Sequence, residues 1–322
     1  MMTWPGGKQF AFTVFDDTDW ATLSGLRPVY DLLADVGFRT TKSVWMLKGS
    51  GPGRPSNAGL TCEDRDYREW VLGLQRRGFE IGLHNVAPFT SERPVIRKGL
   101  EDFQHVFGMP PHVHCNHTGC QDNLYWGSDR LSGWRKQVYT GAGRRPSGLS
   151  QGHNPDSPLF WGDLCQQQVL YVRNFVYNEL NTLAVCPEMP YFDADKPYVN
   201  GWFASAEAGN IHAFLRNFTP ANIDALCNQN GLCIVYVHFG GGFAPDGKLH
   251  QEFRRRMEYV AAKQPWTAPV SEVLNYLRAK RTQHHPISAA ALRRLEIRWL
   301  ADRGLTKAID VITRNLRTKA AA

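Results

Sequence analysis

Residues 10–19 read FAFTVFDDTD, an uncharged run of aromatic and β-branched residues that ends in three carboxylates within four positions. So short an apolar run, closed by acids, predicts a buried strand over Phe10–Phe15 with Asp16-Asp17 at its exit. Leu26, Val29, Tyr30, Leu33 and Val36 then recur at helical spacing, Gly37 stops the helix, and Thr40–Leu47 returns as a strand. The same order repeats downstream. Tyr67, Trp70, Val71 and Leu74 form an apolar stripe closed by Gly78, the strand Phe79–Leu83 follows, and His84 stands at its end. Ile96, Leu100, Phe103 and Phe107 mark another helix, after which Pro110-Pro111 leads into a strand at His112–Cys115 and an exit at Asn116-His117. Strands alternating with amphipathic helices predict βα units and a mostly parallel sheet.

Beyond residue 118 the periodicity weakens. Residues 118–200 are rich in Gly, Pro, Trp and Tyr and read as a long excursion above the sheet, with one strand, Val169–Phe175, inside it. Order returns at Cys233–Val237, an uncharged strand whose exit residue is His238, followed by Gly240-Gly241-Gly242 and by helices near Leu249–Ala262 and Ser271–Arg278. The loop Gly49–Gly59 is placed to form a lip over a pocket at the strand exits. The expected organisation is a catalytic body over residues 1–279 and a basic amphipathic helical tail over 280–322. Ser288 would cap the tail helix, and Leu292, Leu295, Ile297, Trp299 and Leu300 would supply its apolar face.

The chain has 322 residues, 43% apolar, enough for one large core. Its net charge of +7 sits in the tail: residues 280–322 hold ten Lys or Arg against three acids, whereas residues 1–279 hold 27 against 27. A neutral body argues against a nucleic-acid substrate, and the tail is expected to dock on the body or touch an acidic surface. No stretch approaches the ~20 apolar residues of a membrane span, and the opening MMTWPGGKQF lacks the apolar run of a secretory signal, so a cytoplasmic protein is expected. Seven irregularly spaced cysteines read as reduced thiols. Cys115 and Cys120, flanked by His114 and His117, do not follow the spacing of a standard structural zinc site.

Asp16-Asp17, His84 and His238 each follow a strand, which puts them at one edge of a parallel sheet, where ligands bind in such folds. Any one of them alone reads equally as a turn former, helix cap or packed histidine. Together they point to an active site.

The order FTVFDDTD, EIGLHN, a Pro-Pro strand and IVYVHFGGGF, with Trp4-Pro5-Gly6-Gly7-Lys8 ahead of it, resembles the polysaccharide deacetylase superfamily of carbohydrate-esterase type. That resemblance spans about residues 4–278. It implies a distorted (β/α) barrel of about seven mostly parallel strands, here with a C-terminal helical appendage. The activity it implies is metal-dependent removal of an N- or O-acyl group from a carbohydrate or sugar conjugate by metal-activated water. Carried over position by position, Asp16 would be the general base, Asp17 and His84 metal ligands, and His238 the acid that protonates the leaving group. The ion would be divalent, zinc first, with cobalt, manganese or nickel as alternatives.

Two departures stand out. Four residues after His84, where the superfamily places a second ligand histidine, the chain has Pro88. The expected replacement is His117, with Asp19, His114 and Asn116 behind it. His114-Cys115-Asn116 occupy the place where the superfamily offers an Arg that orients the base and a Tyr. Trp20, Trp45, Trp126, Trp161 and Trp202 are candidates for a sugar-stacking wall. Competing readings are a non-catalytic carbohydrate-binding protein on the same scaffold, and a phosphatase of the haloacid dehalogenase type suggested by Asp17-Thr18-Asp19.

Overall fold

The computed structural model describes residues 2–51, 57–143, 149–281 and 285–320. Seven strands, β1 (Ala11–Asp16), β2 (Thr41–Val44), β3 (Glu80–Leu83), β4 (Val113–His114), β5 (Tyr171–Tyr177), β6 (Trp202–Ala208) and β7 (Leu232–Val237), pair in chain order. Every pair is parallel, and β7 returns onto β1 to close a barrel. Closure removes both sheet edges, so all strands are paired on two sides. Eleven helices surround or follow it among the described residues: α1 (Leu23–Asp35), α2 (Arg65–Arg76), α3 (Arg93–Phe107), α4 (Gly133–Gly143), α5 (Gly162–Gln168), α6 (Thr182–Val185), α7 (Ile211–Asn217), α8 (Pro220–Asn228), α9 (Gln251–Ala262), α10 (Val270–Ala279) and α11 (Ala289–Ala320). None of them is long and apolar enough to cross a membrane.

The register fixes where the chemistry sits. β1 and β7 run side by side from Ala11↔Leu232 to Asp16↔Val237, and the Asp17 amide donates to the Val237 carbonyl at 2.8 Å. On the other side β1 meets β2 at Asp16↔Lys42, β2 meets β3 at Val44↔Leu83, and β3 meets β4 at Leu83↔His114. The residues following β1, β3, β4 and β7 therefore emerge on one rim.

Within the stretch read as an excursion, β5 is a full stave of the barrel, displaced by two residues from the expected Val169–Phe175. β6, α7 and α8 fall where the sequence pattern announced nothing. The reason for β6 is compositional: WFASAEA has no β-branched residue, and its small side chains are buried by neighbours rather than by their own hydrophobicity. The middle of the expected lip, residues 52–56, lies outside the described residues, while Asn57 accepts the Trp20 amide at 2.8 Å through its carbonyl. All seven cysteines are free and buried.

The first turns of α11 lie against the body. Ser288 accepts from the Ala291 amide at 3.2 Å, and Leu292, Leu295, Glu296 and Trp299 share the buried face, while Ile297 points outward. The outward Ile297 departs from the expected apolar face, because 100° per residue puts 292, 295, 296 and 299 on one side. Glu296, wholly buried, accepts from Ser132 N at 3.1 Å and from Arg135 Nε, and Tyr177 Oη donates to the Leu295 carbonyl at 3.0 Å. Removing one partner of such a pair strands a buried charge. Glu296→Ala is expected to destabilise the protein by about 3–5 kcal/mol in urea unfolding, whereas Ile297→Ala shifts it by no more than about 0.5 kcal/mol. Equal effects would contradict the docked arrangement.

Candidate active site

Asp16, Asp17 and Asp19 leave the end of β1 in three directions, each buried and each met by its own cation or imidazoles. Asp16 is wholly buried: Oδ2 accepts from Tyr30 Oη at 2.8 Å and lies 3.1 Å from Lys42 Nζ, and Oδ1 accepts from the Phe239 amide at 2.9 Å. Burial pushes its carboxyl up, against the opposing pull of Lys42. These contacts tie β1 to α1, β2 and the β7 exit, and Asp16 is not among the residues lining the cavity at the rim.

Asp17 is turned into that cavity. Arg173, from the middle of β5, clamps it with Nη1–Oδ1 at 2.7 Å and Nη2–Oδ2 at 2.5 Å, and lies over the Tyr236 ring at 4.3 Å. Burial alone would raise the Asp17 carboxyl, but Arg173 outweighs it and holds the group below the usual carboxylate range. Cys115 Sγ donates to Asp17 Oδ1 at 3.1 Å, and burial beside that carboxylate keeps the thiol far above its usual range, hence protonated.

Asp19 faces three imidazoles. Its Oδ2 lies 2.9 Å from His84 Nε2 and 3.3 Å from His238 Nε2, and Oδ1 lies 3.5 Å from His117 Nδ1. His84 Nε2 and His117 Nδ1 are themselves 2.9 Å apart. His84 Nδ1 sits 3.2 Å from the Cys115 carbonyl and 2.8 Å from Cys115 Sγ, and a hydrogen on Nδ1 directed to that carbonyl leaves the Nε2 lone pair for a cation. Burial lowers the His117 imidazole to about 4, so it is neutral at neutral pH.

Carboxylate oxygens and imidazole nitrogens that converge at 2.9–3.5 Å repel unless a proton or a cation is shared among them. Tetrahedral zinc with ligands near 2.0–2.1 Å sets donor atoms about 3.3 Å apart. The Asp19–His84–His117 set thus fits a divalent cation in donor type and spacing. A second grouping, Asp17, His84 and Cys115, is close enough on distance, but both Asp17 oxygens are engaged by Arg173.

His238 completes the rim. Its Nδ1 donates to the Gly209 carbonyl at 2.7 Å, leaving Nε2 toward Asp19, 3.2 Å from Tyr236 Oη and 3.9 Å from Asp17 Oδ2. Burial would lower this imidazole, but Asp19 and Asp17 outweigh it and raise it to about 9. Trp20, at a strained φ of 54°, sets its ring edge-on to His238 at 5.2 Å. Gly240 lets the two loops meet there: a Cβ at this position would lie 2.5 Å from the Trp20 carbonyl oxygen.

The cavity above these groups measures about 820 Å³. Of the expected stacking tryptophans, Trp20 and Trp126 line it, whereas Trp45, Trp161 and Trp202 are buried in the core. The structure brings Asp17, His84, His117 and His238 together and leaves Asp16 outside. Asp19, a candidate behind His117 for the missing ligand, faces the imidazoles, and Arg173 enters as a site residue that motif order did not select. A charged residue in the middle of an otherwise apolar strand was the available signal for Arg173.

No family model matches the chain, and no curated protein matches it. Solved structures share its fold: a protein assigned as a polysaccharide deacetylase in Mycobacterium smegmatis, 14% identical, over 89% of this chain and 96% of that one with a TM-score of 0.52. The allantoinase Puue is 11% identical over 88% of this chain and 94% of its own, with a TM-score of 0.50.

The geometry separates the two neighbouring acids. Asp16→Ala strands the Lys42 ammonium in the core and is expected to cost about 3–5 kcal/mol in thermal or urea unfolding. The double variant Asp16→Leu with Lys42→Met is expected to recover most of that loss, and a failure to recover would show that Asp16 does more than balance Lys42.

Proposed function

We propose that the chain is a divergent member of the polysaccharide deacetylase superfamily, a metal-dependent hydrolase that removes an acyl group from an amide or ester of a carbohydrate or sugar conjugate. The observation that carries this reading is the convergence of Asp19, His84 and His117 donor atoms beside the Asp17–Arg173 pair and His238. The shared fold supports it. Asp19, His84 and His117 would hold the divalent ion, zinc being the first choice for two imidazoles and a carboxylate. Such an ion supplies Lewis acidity toward an acyl oxygen and toward water.

The roles thus shift along the chain from those the motif order implied, with Asp17 as base in place of Asp16 and Asp19 as the ligand carboxylate in place of Asp17. Asp17 takes the proton from water attacking the acyl carbon, and Arg173 holds both of its oxygens so that the acceptor stays in one orientation. His238, its Nδ1 donating to the Gly209 carbonyl, gives a proton on Nε2 to the departing amine or alcohol as the carbon–heteroatom bond breaks. The 3.9 Å between Asp17 Oδ2 and His238 Nε2 lets both face one reacting centre. The phosphatase alternative lacks support, because no lysine lines the cavity among the described residues.

Metal analysis of purified variants tests the assignment. Asp19→Ala and His84→Ala are expected to lose a stoichiometric divalent ion together. Asp17→Asn is expected to retain it while hydrolysis of an acetylated amino sugar or of 4-nitrophenyl acetate falls at least about 100-fold. Loss of metal from Asp17→Asn with retention in Asp19→Ala would return the ligand role to Asp17.

A further inference from the structure

The cavity wall also holds a guanidinium with no counter-charge among the described residues. Arg130, at the end of the short helical turn before α4, is only 2% exposed, yet it lines the cavity. Its Cζ lies 3.4 Å over the Trp126 ring and 5.1 Å from the Trp299 ring. Its Nε and Nη1 are buried without a hydrogen-bond partner, so an oxyanion in the cavity would meet the guanidinium at its Nη2 edge, and no carboxylate among the described residues pairs with it. The three acids that line the cavity are already engaged: Asp17 by Arg173, Asp19 by the histidines, and Glu207 Oε1 by the Gly209 amide at 2.8 Å. Arg303, from α11, adds a second positive charge to the same wall.

A buried, unpaired charge is costly and is normally met by an opposite charge. Aromatic rings cover the flat faces of a guanidinium but offer nothing to its N–H donors, which lie in its plane. Those donors suit the planar or tetrahedral oxygens of a carboxylate or phosphate. We infer that Arg130, set over the Trp126 ring and near Trp299, is an oxyanion subsite of this cavity, so that the substrate is an acyl compound carrying a carboxylate or phosphate group away from the scissile bond. The inference rests on the hydrolase reading for the word substrate, but the subsite itself does not.

Calorimetric titration of the metal-loaded protein tests it with N-acetylglucosamine, N-acetylmuramic acid, N-acetylglucosamine 6-phosphate and inorganic phosphate. At least one charged sugar is expected to bind roughly tenfold or more tightly than the neutral one, the carboxylate and phosphate arms telling which oxyanion fits. Arg130→Gln is expected to weaken that binding roughly ten- to a hundredfold and to erase the preference, while metal content and affinity for the neutral sugar stay unchanged. Equal binding of charged and neutral sugars by the unaltered protein, or a preference that survives Arg130→Gln, would overturn the proposal, and the first comparison needs no variant to fold. Inorganic phosphate separates the two readings. Binding that Asp19→Asn retains and Arg130→Gln abolishes upholds the subsite even if no sugar binds, whereas binding lost only in Asp19→Asn places the anion at the metal site and rejects it.

Discussion

Three carboxylates within four residues, each no more than 3% exposed, cannot be buried at one strand end without separate sources of compensating charge. The fold supplies them from different strands: Lys42 on β2 for Asp16, Arg173 on β5 for Asp17, and histidines following β3, β4 and β7 for Asp19. Only a closed parallel barrel brings those five chain segments within reach of one strand exit. The charge balance and the topology are therefore one constraint, since a register slip of β1 against β2 or β7 would leave at least one acid facing the wrong partner.

That constraint explains what the sequence disclosed and what it hid. β1, β3 and β7 were legible because each is an apolar run ending at an ionisable residue, and helical spacing between them gave the βα order. Which of the aspartates turn toward the cavity was not legible. In FAFTVF both faces of the strand are buried, so the alternation that would tell which side chains look toward the rim is absent, and positions 16 and 17 look equivalent in the string. Two charges inside other strands held the missing information: Lys42 in TKSV and Arg173 in YVRNFVY each demanded a buried acid. Pairing them required the register, which spacing does not give. β6 stayed hidden for a different reason, since its alanines and serine carry no strand signal of their own.

His117 shows how a missing motif residue can be replaced through tertiary structure. Position 88 cannot ligate, and β4 is only two residues long, yet the Cys115 amide still donates to the Leu83 carbonyl at 3.0 Å and keeps the chain in line with the β3 exit. Asn85 then accepts the His117 amide at 3.0 Å while donating to Asp122 and Asn123. The loop is thus held by polar contacts to the residue directly after His84, so the two imidazoles move as a unit. An imidazole pair separated by 33 positions gains the rigidity that a four-residue spacing on one loop would otherwise provide.

The basic tail belongs to the same logic. Its charge and apolar residues left docking on the body and contact with an acidic surface both open, and the residues that decide its place are Glu296 and Trp299. Glu296 is drawn into the body by Arg135 and Ser132, and Trp299, one turn on, is delivered to the cavity wall against Phe175 and Tyr139. Trp299 is also one of the two rings near Arg130. The ion pair that docks the helix thereby shapes the cavity wall.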